Sequence, residues 1–266
     1  MKTVTSSVYD KDYYTKVCLG SEEFNKTQGG KISDEVVHLL SRLQFRKTDK
    51  ILDIGCGRGD ITIYLAKKCK TAVGIDYSKD GIELAQKMKT KQKVNNVTFY
   101  RMNATKLKFK NNSFDKVIAI DVLEHLTKTE VKKMLKEIKR TLKPNGILFA
   151  HTGTNRILYD VTYPRYIYPI NKLIHKIDSV IYKKRYSPMP KDPRTDVEKI
   201  QHINEPTFKY LNKIFSSNKF EGSIETRVGY LKTSKGLRHR IYNFVCTLYP
   251  LSKYYPLNNL FGWAFI

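Results

Sequence analysis

The chain has 266 residues, 41% of them hydrophobic and 12% aromatic, which suits a packed globular chain and excludes a disordered one. No run of 18 uncharged apolar residues occurs, and the polar stretch Met1 to Asp12 has no apolar leader segment, so neither a membrane span nor a signal peptide is expected. The net charge of +24 is spread over both halves and comes from 37 Lys against 12 Arg. Arginine is the better bidentate reader of phosphate, so this lysine excess points first to a solvated surface or to overall composition, and a nucleic acid, an anionic membrane surface or an acidic substrate is the functional reading beside it.

Residues 1–30 carry Tyr9, Tyr13, Tyr14 and Phe24 among polar residues and end in Gly29-Gly30. They are expected to form an extension that folds over another part of the chain as a lid. From Lys31, Ile32, Val36, Leu39, Leu40 and Leu43 recur at helical spacing, with Ser33-Asp34-Glu35 as a helix start. Next comes a short apolar strand, Lys50 to Ile54, a turn with Gly55, Gly57 and Gly59, and a helix over 60–68. A second strand, Thr71 to Asp76, ends in an acid, and Ser78 is placed to cap a helix over 79–92. Val97 to Met102 is a third strand and Phe114 to Asp121 a fourth. A helix over 128–141 then runs through the turn Pro144-Asn145-Gly146 into a fifth strand, Gly146 to His151. Strands alternating with helices predict right-handed crossovers and a parallel α/β sheet.

After Thr152 the alternation breaks. Residues 152–195 are rich in Tyr, Lys and Pro and predict a substrate-side insertion, helical over 166–183. A helix over 206–218 with Pro206 in its first turn, a sixth strand over Phe220 to Tyr230, a mixed insertion at 232–256 and a last buried strand over 260–266 complete the expectation. Cys18, Cys56, Cys69 and Cys246 are scattered without a C-x-x-C pair, which predicts free thiols in a reducing cytoplasm. No Cys/His cluster has metal-ligand spacing, so no metal is expected.

The glycine turn carries the chemistry. Glycine serves where backbone takes positive φ or approaches a ligand, and a helix N-terminus follows at once. In the dinucleotide fingerprint G-x-G-x-x-G/A the sixth position is small, whereas here it is Asp60. Asp53, two residues before the first glycine, would oppose a pyrophosphate and suit a ligand with an amino group. Asp76 lies 17 residues beyond Gly59, about where ribose-binding acids stand in doubly wound folds.

Leu52-Asp53-Ile54-Gly55-Cys56-Gly57-Arg58-Gly59, Gly74-Ile75-Asp76-Tyr77-Ser78, Phe114-Asp115-Lys116-Val117, Val122-Leu123-Glu124-His125 and Leu142-Lys143-Pro144-Asn145-Gly146 together resemble class I S-adenosylmethionine-dependent methyltransferases. The similarity is to the small-molecule, type 11 branch and covers about residues 30–150. It implies a Rossmann-like, doubly wound, mostly parallel seven-stranded sheet of order 3-2-1-4-5-7-6, with helices on both faces and residues 31–266 as one methyltransferase domain. It also implies S-adenosyl-L-methionine as cofactor. Gly55, Cys56, Gly57 and Gly59 would meet its methionine and ribose parts, Asp53 its amino group, and Asp76 the ribose hydroxyls. Tyr77 would pack on adenine, Asn103 and Ala104 would lie at its amino group, and Asp121 would face the methionine end.

The implied reaction is in-line displacement at the sulfonium methyl, which asks mainly for alignment. A hydroxyl acceptor also needs a base, and His125, His151 and His202 are the candidates for that or an orienting role. The acceptor is expected to be a small molecule, a glycan or a lipid-linked compound methylated on oxygen, reached in the cytoplasm or peripherally at an anionic membrane. An RNA methyltransferase and a non-catalytic S-adenosylmethionine-binding module are the alternatives.

Overall fold

A strand with Ile51, Leu52 and Ile54 all buried must be covered on both faces. In the computed structural model that strand, β1 (Lys50–Ile54), lies at the centre of a five-stranded sheet. The structure describes residues 4–153, 155–181, 183, 185, 187–227, 241, 244–245, 248, 251, 254, 256–261 and 264–265. The other strands are β2 (Thr71–Asp76), β3 (Val97–Arg101), β4 (Phe114–Ile120) and β5 (Leu142–His151), in the order β3-β2-β1-β4-β5. β1 pairs in parallel with β2 on one side and β4 on the other, Ile54 facing both Ile75 and Ala119. The order reverses between β1 and β4, so a crevice opens beyond their carboxyl ends.

Flanking helices form where the sequence supplies caps. α1 (Ser21–Thr27) and α2 (Asp34–Leu40) precede the sheet, and Ser33 accepts the Val36 N–H at the start of α2. α3 (Asp60–Ala66) follows the glycine turn, and α4 (Lys79–Lys91) is capped by Ser78 accepting the Gly81 N–H. α5 (Lys128–Thr141) begins with a reciprocal capping box between Thr127 and Glu130 and buries Val131, Met134, Leu135 and Ile138. Its apolar residues recur at i, i+3, i+4 and i+7, which is why one face meets the sheet.

The chain divides into two compact units, Met1–Ala150 and His151–Ile266. The N-terminal extension belongs to the first, with Tyr9, Tyr14 and Phe24 buried. In the second, a wide helical segment, Leu158–Ile167, contains Pro164 and packs Leu158, Tyr159, Tyr163 and Ile167 together. α6 (Tyr168–Ile181), α7 (Asp196–Gln201) and α8 (Phe208–Ser217) follow. Arg194 ties this unit together. Its guanidinium bonds both carboxylate oxygens of Glu205 at 2.6 and 2.7 Å, reaches Asp160 at 2.5 Å, and lies 4.7 Å over the Tyr159 ring. A bidentate fork of this kind fixes orientation as well as charge.

Several expectations change. The parallel sheet has five strands, not seven; among the described residues the other two, β6 (Thr226–Arg227) and β7 (Ala264–Phe265), form an antiparallel pair. Thr152, next after β5, makes an isolated bridge to Phe265, and β7 pairs with β6 over two residues. The last run is not one strand, because Leu257–Phe261 forms a short helix, α9, before β7. Pro206 precedes the first turn of α8, since Thr207 takes the cap and accepts the Tyr210 N–H. β5 begins at Leu142 rather than after the Pro-Asn-Gly turn, with Asn145 absorbing positive φ within it. Most of the expected 232–256 insertion lies outside the described residues.

Candidate active site

The carboxyl ends of β1, β2 and β4 deliver Gly55, Asp76 and Asp121 to one cleft. Tyr77, Asn103, Ala104, Val122, His125 and Glu130 also line it, and Tyr9, Tyr13 and Tyr14 of the extension close one side.

The glycine turn is a backbone device. Gly55 has φ +71° and an added Cβ would stand 2.5 Å from Val122 Cγ2. Gly57 has φ +47° and a Cβ there would stand 2.7 Å from the Tyr14 ring. Side chains at either position would be strained and would close the gap between turn and extension. The Gly55 and Cys56 N–H groups both donate to the Ile75 carbonyl, at 2.8 and 3.0 Å, which locks the turn onto β2.

Asp76 is 6% exposed. Its Oδ2 accepts the Gly57 N–H at 2.9 Å, and its Oδ1 accepts the Ser78 N–H at 2.8 Å and the Tyr14 O–H at 3.4 Å. Burial raises its carboxyl above the ordinary range while those two N–H groups oppose the shift. The Tyr14 bond is the long one, well beyond the usual O–H···O separation of about 2.7–2.8 Å. A ribose hydroxyl could replace it without disturbing the backbone bonds.

Asp53 does not line the cleft. It is 3% exposed behind the turn, where its Oδ2 accepts the Thr62 O–H at 2.6 Å, and burial pushes its carboxyl up to about 7. Cys56, Gly57 and Gly59 likewise support the turn from outside the lining. Asp121 does line it and takes positive φ, +53°, a conformation Asp tolerates better than most residues and one frequent at ligand sites.

Of the three histidines, His125 reaches the cleft. Tyr9 Oη lies 2.8 Å from His125 Nδ1, with the two rings edge to face at 5.4 Å. Burial holds the Tyr9 hydroxyl protonated far above its ordinary value, so a neutral phenol faces the imidazole. Tyr9 also stacks edgewise on Tyr13 at 5.0 Å and lies 5.5 Å from Tyr77. His151 and His202 belong to the second unit: His151 ends β5 and is 4% exposed, and His202 follows α7 with its N–H on the Glu198 carbonyl.

Two features escaped the sequence reading. One is the Tyr9–His125 pair, whose partners are 116 residues apart; a tyrosine-rich extension was visible, its target was not. The other is Arg58, 2% exposed in the glycine turn. Its guanidinium donates to Tyr14 O at 2.5 Å, to Cys18 Sγ at 2.7 Å and to Leu19 O at 2.8 Å, pairs with Asp60 at 3.0 Å, and lies 4.5 Å over Phe24. The turn thus clasps the extension.

Among the described residues no Lys or Arg lines the cleft, although the chain carries +24 overall. Asp76, Asp121, Glu130 and four tyrosine rings give it an acidic, aromatic wall suited to a ligand with cationic character. A family profile described as "Methyltransferase domain" matches residues 51–146. The chain is 31% identical over 207 residues to a ubiquinone/menaquinone biosynthesis C-methyltransferase of Wigglesworthia glossinidia brevipalpis, covering 73% of this chain and 74% of that one. It belongs to the class I S-adenosylmethionine-dependent methyltransferases. A demethylmenaquinone methyltransferase of Lactiplantibacillus plantarum is 36% identical over 113 residues, 41% of this chain and 47% of that one. In the first curated relatives it matches, the chain spans between 38% and 54% of the relative's length. The fold is shared with a phosphoethanolamine N-methyltransferase of Haemonchus contortus, at TM-score 0.60 and 18% identity over 84% of this chain and 46% of that one. It is shared also with a methyltransferase of Methanosarcina mazei, at TM-score 0.52 and 24% identity over 75% and 91%.

S-adenosylmethionine is the cofactor of this family, and the residues fit it. The buried Asp76 carboxylate with one replaceable bond would suit two ribose hydroxyls, the Tyr77 ring would suit adenine, and the acidic wall would suit the sulfonium.

Proposed function

We propose that this methyltransferase acts on a small, glycan-like or lipid-linked acceptor and methylates it on oxygen. The observation that carries the reading is the meeting, in one cleft, of Gly55, Asp76, Tyr77 and Asp121 with the Tyr9–His125 pair. When bound, the cofactor supplies an electrophilic methyl carbon on sulfur. Asp76 and Tyr77 hold the nucleoside end, with Asn103 and Ala104 at its rim, and Asp121 the methionine end. Asp53 acts from behind the turn.

His125 takes the proton of the acceptor hydroxyl. Nδ1–H donating to Tyr9 Oη orients the ring and leaves the Nε2 lone pair as the base for that proton, and Tyr9, Tyr13 and Tyr14 exclude water from the cleft. Two relatives are named for demethylmenaquinone methylation and for a C-methylation in ubiquinone/menaquinone biosynthesis, and an apolar ring of that kind is compatible with an aromatic-walled cleft that has no lining cation for a phosphate among the described residues. The free thiols Cys18, Cys56 and Cys69 support a reducing cytoplasm as its setting.

Incubating the protein with methyl-labelled cofactor and separate lipid, glycan and RNA fractions tests this. Label is expected in the lipid or glycan fraction as a base-stable ether. His125→Ala should lower the rate by about 10²–10⁴-fold, the usual worth of a general base, while leaving S-adenosylhomocysteine affinity within about twofold. Label confined to RNA, or cofactor binding without transfer to any fraction, would select one of the two alternatives instead.

A further inference from the structure

Helix α6 is turned the wrong way round for a helix of a globular surface. Leu173, Ile177, Val180 and Ile181 are 59%, 48%, 73% and 63% exposed. Their spacing of i, i+4, i+7 and i+8 places them on one face. The polar Asn171, near the opposite face, is 4% exposed. A helix that buries its amide and presents its aliphatic side chains outward is shaped for something that covers that face.

The surrounding charge says what covers it. Residues 165–185 contain six basic side chains and one acid, Asp178. Lys172 and Lys176 are exposed beside the apolar stripe, and Lys183 and Arg185 are exposed just beyond the helix. Two copies of this face brought together would oppose the same cations, which disfavours self-association. An apolar stripe bordered by lysines matches the headgroup boundary of an anionic bilayer. With 14 residues α6 is about 21 Å long, too short to cross a hydrocarbon core of about 30 Å. Among the described residues no helix is long and apolar enough to span a membrane. The geometry points to α6 as a peripheral docking surface for anionic membranes: Leu173, Ile177, Val180 and Ile181 enter the acyl boundary while Lys172 and Lys176 meet the headgroups.

Sedimentation of the full chain with phosphatidylcholine vesicles, and with mixed phosphatidylglycerol–phosphatidylcholine vesicles, reads this out directly. The protein is expected to pellet with the anionic vesicles and not with the neutral ones, and to be released as salt rises. Leu173→Glu with Ile177→Glu should weaken partition by about tenfold or more. Lys172→Glu with Lys176→Glu should do the same and flatten the salt dependence, since each basic side chain near an anionic surface contributes favourably. All four positions are exposed, so melting temperature and S-adenosylhomocysteine binding should stay at wild-type values and report intact folding. Failure of the wild type to pellet with anionic vesicles would overturn the proposal. So would pelleting of both double variants at the wild-type level, or a dimer that Leu173→Glu with Ile177→Glu dissociates while no vesicle binding is found. Vesicle binding is read without turnover, so it fails or holds whichever molecule the cleft methylates.

Discussion

Asp53 carries a carboxyl that the fold removes from water. Burial raises it to about 7, against the opposing bond from the Thr62 hydroxyl. Below about pH 4 that carboxyl is protonated in the folded and unfolded chain alike, and its burial costs nothing. Between there and pH 7 the unfolded chain ionises it first, so the folded state loses stability as pH rises, and above 7 the loss is complete. Asp53→Asn, whose amide oxygen can still accept from Thr62, should therefore raise the melting temperature of the ligand-free protein at about pH 8 and change it little at about pH 4. An equal offset at both pH values would contradict this account of Asp53. Tyr9 gives a second residue-scale outcome. Tyr9→Phe keeps the ring contacts with Tyr13 and His125 but loses the bond to Nδ1, which should cost the rate about 1–2 powers of ten with little change in cofactor affinity. A rate equal to wild type would remove Tyr9 from the orientation of His125.

At the scale of elements, the glycine turn and the N-terminal extension act as one piece. Arg58 holds the extension through the Tyr14 and Leu19 carbonyls while its carboxylate partner Asp60 opens α3. Arg58→Met would leave Asp60 unpaired in a site where it is about one-tenth exposed, and breaking a buried pair on one side costs about 3–5 kcal/mol. The expected result is faster amide exchange over residues 13–20 with β1, β2 and β4 still protected, together with weaker S-adenosylhomocysteine binding as Tyr14 leaves Gly57. Unchanged exchange over 13–20 would show that the clasp contributes nothing. This element also marks where sequence reading stopped. Ile51 to Ile54, the three glycines, Asp76 and the caps Ser33 and Ser78 were legible because strand length, positive-φ turns and capping are local in the chain. Arg58 sits at a variable position of the turn, and nothing local distinguishes a buried clasp from a surface cation. Tyr9 and His125 meet only after the sheet has formed. The helix over 166–183 was legible but the exposure of its aliphatic stripe was not, since periodicity shows that a helix has two faces and not which one is buried.

For the whole molecule, a parallel sheet with its strand-order reversal between β1 and β4 locates the cleft, and the acidic, aromatic lining sets the ligand. The second unit was the less legible half, because its packing rests on nonlocal contacts such as Arg194 with Glu205. The central claim is that the cleft closed by Asp76 and Tyr77 binds the methyl donor. Thermal unfolding with and without S-adenosylhomocysteine tests it most directly. At ligand concentrations of about 100 times the dissociation constant, binding to the folded state alone contributes about 2.7 kcal/mol, so the melting temperature should rise by several degrees. NAD should give no shift, and Asp76→Ala should abolish the shift while the ligand-free protein still unfolds cooperatively. A wild-type protein indifferent to S-adenosylhomocysteine, or an Asp76→Ala variant that keeps the full shift, would contradict the account.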